Sequence, residues 1–219
     1  MSTLSEHIHV RTADYAALPL FRAFAEDRVP LERFADFFRE QYMTARLFQD
    51  LIWATTEIHD GPYAAFARSH RARDSGHHKW MKQDLAAFGL EMTADDFFRL
   101  EWLGTRTQMA RILAHLSDAT PERRMVVLAA LESAGAVTLG TLFDYVARHG
   151  LTQRLHYLGS AHVDIERGQV DALAAVAKEL FASDDAEHKA TVDLVFHALG
   201  TMFGEGGERY YGDLVRRAS

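Results

Sequence analysis

The sequence predicts an all-α protein, a single seven-helix bundle, on three observations. Apolar residues recur at steps of three and four through long segments, and no stretch alternates in the manner of a strand. Only four prolines occur in 219 residues, and Pro30, Pro62 and Pro121 each stand where such a segment begins, a position at which a missing N–H costs nothing. The segments are separated by only a few residues, which makes consecutive helices antiparallel neighbours. A chain of this length buries roughly 70% of its unfolded surface, so residues 1–219 are expected to share one core.

Taken in order, the periodicity predicts helices over 14–27, 31–59, 62–88, 94–117, 121–149, 152–181 and 185–203. Thr120 before Pro121, Thr93 before Ala94-Asp95-Asp96 and Ser183 before Asp184-Asp185 are N-cap candidates with acidic first turns; Gly89 and Gly150 follow helical patterns as C-caps. From Gly204 onward, GEGGERYYGDLVRRAS is glycine-rich and mixed in charge. It follows a helix rather than a strand, so it reads as a helix stop and a tail outside the core at 14–203, not as a phosphate-binding loop.

Composition narrows the chemistry. Asp and Glu number 31 against 24 Lys and Arg, a net charge of −7, which offers nucleic acid and anionic lipid no general attraction. There is no cysteine, which excludes disulfides, thiolate metal sites and cysteine nucleophiles. The first fifteen residues carry charges and no signal-like apolar run, and no window reads as a membrane span of about 20 apolar residues. A cytoplasmic protein without a membrane partner is therefore expected. Twelve histidines with surplus carboxylate are the ligand kit for iron, manganese or zinc without sulfur.

Those residues interrupt core stripes. In 152–181 the stripe Leu155, Leu158, His162, Ile165, Gln169, Leu173, Val176, Leu180 is broken by His162 and Gln169, with Glu166 four residues after His162 on nearly the same face. In 62–88, Phe66, His70, Asp74, His77 and Met81 share a face, and His78 points about 100° away. Glu132 sits inside the apolar run MVVLAALESAGAVTL, and Glu40 lies between Phe37, Thr44, Leu47 and Leu51. Glu40, Asp74, Glu132 and Glu166 together carry four negative charges that two divalent cations would neutralise, with His77 and His162 as nitrogen ligands. The competing reading has several of these groups facing solvent or pairing with arginines. The aromatic residues Phe48, Trp53, Trp80 and Tyr157 read mainly as core, and Thr44, Phe48, Trp80, Met81 and Tyr157 are candidates to line a substrate pocket. A serine hydrolase is not expected, because the G-x-S-x-G elbow is missing.

Two segments carry a family resemblance. RARDSGHHKWMKQDLAAFGL resembles the signature "acidic, two spacers, His, then D-L-x-x-x-G" of the haem-oxygenase-like diiron oxidases and oxygenases, and AHVDIERGQV resembles their "His, three spacers, acidic, two spacers, His" helix. The resemblance extends roughly from Leu18 to Leu180. It implies the haem-oxygenase-like bundle, with Glu40, Asp74, His77, Glu132, His162 and Glu166 as ligands, and His70 and Gln169 as further ligands or their supports. It also implies two iron ions, one being possible and manganese the alternative, dioxygen as cosubstrate, an amino acid, amine or fatty acid as substrate, and a homodimer. The chain departs from the pattern at Gln169, where the family's final His is expected, and at Asp74 or His70, which replaces a usual Glu. These departures make a cofactor-independent oxidase of the pyrroloquinoline quinone synthesis type the enzyme alternative. A helical binding or dimerisation module with a decayed metal site is the non-catalytic one.

Overall fold

A computed structural model describes residues 2–215, and these are helical with no strand among them. The longer helices are α1 (Leu4–Ala16), α2 (Pro19–Ala25), α3 (Leu31–Thr55), α4 (Ala64–Asp74), α5 (His77–Ala87), α6 (Leu103–His115), α7 (Pro121–Arg148), α8 (Ser160–Val176) and α9 (Ala186–Val215), with a single turn at Lys178–Phe181 and short 3-10 turns at 95–98, 100–102 and 152–154. The all-α expectation therefore holds, with nine longer helices among the described residues in place of seven. At the centre, α7 packs against α1, α2, α3, α8 and α9, while α3 packs against α4, α5 and α6.

Several predicted boundaries hold for the predicted reasons. The Thr120 side chain accepts from Arg123 N at 3.2 Å with Pro121 in the first helical turn. Gly89 and Gly150 have φ of 72° and 70°. After α5, Gly89 N donates to Ala86 O and Leu90 N to Leu85 O; after α7, Gly150 N and Leu151 N repeat this with Ala147 O and Val146 O, all at 3.0 Å. Both helices thus end in the paired bonds that a left-handed glycine permits.

The differences fall where local chemistry outweighs periodicity. The first helix begins at Leu4, not at residue 14, because Thr3 and Glu6 form a reciprocal capping box. Residues 62–88 are two helices, since Ser75 is extended and Gly76 takes φ 102°. Gln49 clamps that break, its amide donating to Asp74 O and its carbonyl accepting from Gly76 N, each at 3.0 Å. Residues 94–117 start as 3-10 turns, with Asp96 accepting from both the backbone and hydroxyl of Thr93. Residues 152–159 are a turn rather than the start of α8; a Cβ on Gly159 would stand 2.5 Å from Leu155 O. Asp185, not Ser183, caps α9 by accepting from His188 N at 2.8 Å.

The glycine-rich stretch does not stop α9, which continues through it, kinks at Tyr211 (φ −138°, ψ 23°) and ends at Val215; residues 216–219 of the predicted tail lie outside the described residues. A Cβ on Gly207 would stand 3.2 Å from Leu20 Cβ, so this glycine allows close approach to α2. Two stripe residues of α8, Ile165 and Val176, are 38% and 42% exposed. Trp53 is 57% exposed and stacked by Arg71 instead of buried. Contrary to the sequence reading, α7 is long and apolar enough to cross a bilayer, but 56% of that stretch is buried within the bundle, as in the core helix of a soluble protein.

A Cβ at position 76 would meet only Lys79 Cδ at 3.8 Å, so the cost of Gly76→Ala is conformational. Equilibrium urea unfolding of that variant is expected to show a loss of about 1–2 kcal/mol.

Candidate metal centre

Among the described residues, two groups of ligand-type side chains lie within the bundle, buried except for the half-buried Glu166: His77, His162 and Glu166, and His70, Asp74 and Glu132. Within each, the candidate donor atoms lie within 4.8 Å of one another. Two donors about 2.1 Å from one cation stand at most about 4.2 Å apart, so small side-chain movements suffice.

The break at Gly76 decides which residues meet. On α4, His70 Nε2 stands 3.1 Å from Asp74 Oδ2 and 3.1 Å from Glu132 Oε1 of α7. On α5, His77 Nδ1 faces Glu166 Oε1 of α8 at 3.5 Å, and His162 Nε2 reaches the same oxygen at 2.9 Å. Gln169 joins the groups, donating through Nε2 to Asp74 Oδ1 at 2.8 Å and to Glu166 Oε1 at 3.4 Å. Five of the six expected ligands are thereby brought together, and His70 is a full member of the second triad.

Glu40, the sixth, is the exception. It is buried, but its carboxylate accepts from Arg209 at 2.6 Å and from the Thr105 hydroxyl. It lies outside both triads, because α9 brings it an arginine that no local pattern in α3 reveals.

The protonation pattern differs between the two sets. The Tyr157 carbonyl can only accept, so His162 Nδ1, 2.7 Å away, carries a proton. In the neutral ring, Nε2 then turns a lone pair toward Glu166, which needs a proton or a cation between them. His77 Nε2, His70 Nδ1 and Gln169 Oε1 are buried without hydrogen-bond partners, a pattern that asks for an explanation in so polar a site. Burial lowers the His77 pKa, helped by His162, which favours the neutral ligand form. Burial also opposes charge on His70, yet its bonds to Asp74 and Glu132 outweigh it and raise the pKa to about 10. Glu132 is pushed up to about 7, chiefly by burial, whereas the His70 partnership holds Asp74 low against its own desolvation.

An apolar cavity opens onto both triads. Thr44, Phe48, Met81 and Tyr157 line it as expected. Trp80 does not; it stacks on the His77 ring at 4.9 Å and fixes its plane. Sequence reasoning missed Asp84, which is fully buried and accepts from His156 N at 2.6 Å and Leu158 N at 3.0 Å. It thereby holds the turn that aims the Tyr157 carbonyl at His162. The signal was present, since Asp84 interrupts the apolar positions Met81 and Leu85 as Glu132 interrupts its own stripe.

Two outcomes follow. Asp84→Ala strands two backbone donors and is expected to lose about 2–4 kcal/mol in urea unfolding. In the metal-free protein, the raised His70 pKa contributes stability that is fully present below its ordinary value of 6.5 and is lost as pH rises through about 10. The raised Glu132 pKa removes stability between its ordinary 4.5 and about 7. Unfolding free energy should therefore fall from pH 7 to 10, and His70→Asn should flatten that fall; an equally steep profile in the variant would contradict the assignment. The chain matches no protein-family model and no curated protein, so the two triads themselves carry the functional argument.

Proposed function

We propose that the protein is a non-haem iron oxidase or oxygenase acting on a small molecule, with two iron ions as the full complement and manganese as the alternative occupant. The observation that carries this reading is the pairing of a two-histidine, one-carboxylate set (His77, His162, Glu166) with a one-histidine, two-carboxylate set (His70, Asp74, Glu132) around one cavity. The first composition is that of non-haem ferrous oxygenase sites, and the carboxylate-rich second favours iron or manganese over softer metals. Both sit between facing helices, as carboxylate-bridged metal sites in bundles do.

When bound, ferrous iron would supply the electrons that reduce dioxygen. The chain's own residues do the rest. The Tyr157 carbonyl keeps the His162 proton on Nδ1 and so presents Nε2 to the site. Trp80 restrains His77, and Gln49 fixes the junction that separates His77 from His70. Gln169, where the resemblance leads one to expect histidine, donates to a carboxylate from each triad and so holds their spacing. Phe48, Met81 and the apolar wall of α7 exclude water from the space above the ligands.

Anaerobic reconstitution with ferrous iron, followed by metal analysis, tests this directly. A count near two per chain is expected, falling to near one in Glu132→Gln, which leaves the His77 set intact. Gln169→His should tighten iron binding by about tenfold or more if the amide limits the site. A count near zero would sink the iron reading and favour the cofactor-independent oxidase.

A further inference from the structure

We propose that the molecule held in this cavity is elongated and apolar, with an uncharged hydrogen-bond donor such as a hydroxyl or amide N–H at the end remote from the triads, and that Tyr15 sets its length. The inference rests on reading the cavity as the substrate's place. Helix α7 supplies Glu132, Gly135, Thr138 and Leu142 to its wall. At a rise of 1.5 Å per residue that wall runs for about 15 Å, longer than a compact metabolite needs.

Charge is confined to one end. Among the described residues no lysine or arginine lines the cavity, and its carboxylates and imidazoles all belong to the triads. The far half is walled by Leu199, Met202 and Phe203. A charged group there would be desolvated without a partner.

The far end holds an oriented polar pair, Tyr15 Oη and Thr138 Oγ1 at 3.0 Å. Thr138 donates its own proton to Ala134 O, also at 3.0 Å, so Tyr15 must donate to Thr138. The phenol oxygen is left with lone pairs and no further proton to give, which suits a ligand that donates. Burial raises the Tyr15 pKa and keeps it a neutral phenol.

Tyr15 is also a partition. It is packed edge-on against Phe21, Phe196 and Phe203 at 4.9–5.9 Å. Beyond it lies a separate surface cup lined by Arg11, Leu18, Phe196 and His197, which Tyr15 shares. Removing the ring would join the cup to the cavity.

Calorimetric titration of the full chain, with and without iron, by butan-1-ol, hexan-1-ol, octan-1-ol, decan-1-ol and dodecan-1-ol reads the length. Affinity is expected to climb about three- to fourfold per methylene and then stop rising once the alcohol, its hydroxyl on Tyr15, fills the space between Tyr15 and the triads. Tyr15→Ala, or Tyr15→Leu if the alanine variant does not fold, should move that limit to longer alcohols. Tyr15→Phe should keep the limit and weaken the alcohols about two- to tenfold, leaving n-hexane unchanged. Octylammonium and octanoate should not share the Tyr15 dependence. An unmoved limit in the shortened variants, or no alcohol binding, overturns this inference even if iron binds. Failure of iron binding with these results intact would instead overturn the metal reading alone.

Discussion

Three carboxylates, Asp74, Glu132 and Glu166, are held inside a helical bundle, and that constraint organises the structure around them. An ionised group removed from water without compensation costs several kcal/mol. Here each of the three carboxylates meets an imidazole, and those of Asp74 and Glu166 also meet the Gln169 amide. The arrangement works only if α4, α5, α7 and α8 arrive at fixed depth, which explains why much buried polar chemistry in the protein serves as framing. Gln49 closes the α4–α5 junction and Asp84 closes the turn before α8, each by bonding backbone groups rather than the ligand side chains.

Glu40 and Glu132 show how the same kind of group comes to different ends. Both replace an apolar residue in a core stripe, and both are buried. Glu132 meets His70, whereas Glu40 meets the guanidinium of Arg209 and a threonine hydroxyl. A fixed cation already neutralises Glu40, so it has no need of a metal. Glu132 shares its histidine with a second carboxylate, and the local charge stays negative even when that histidine is protonated.

This contrast marks how far the sequence could be read. Stripes at steps of three and four identify which side chains point inward, and they located His70, Asp74, His77, Glu132, His162 and Gln169 correctly as buried groups, with Glu166 half-buried beside them. Helix stops at Gly89 and Gly150 were legible because positive φ is a local property. What periodicity hides is a break that leaves composition unchanged: Ser75-Gly76 lies within an otherwise helical pattern and reassigns His70 and His77 to different triads. It also hides a partner 169 residues away, as for Glu40 and Arg209. The same limit applies to the glycines at 204–207, which the helix passes through and of which Gly207 packs closely on α2.

The long α9 has a consequence for the order of assembly. Its middle supplies Leu199, Met202 and Phe203 to the cavity wall, and Arg209 beyond them is the tie that docks it on α3. Contacts that close so large a loop carry a high entropic cost and reward the chain only late. During synthesis, the helices bearing both triads leave the ribosome before the helix that roofs the space above them. A metal ion would therefore have access to its ligands from the open side of an unfinished bundle, and the docking of the last helix would be the step that shuts water out.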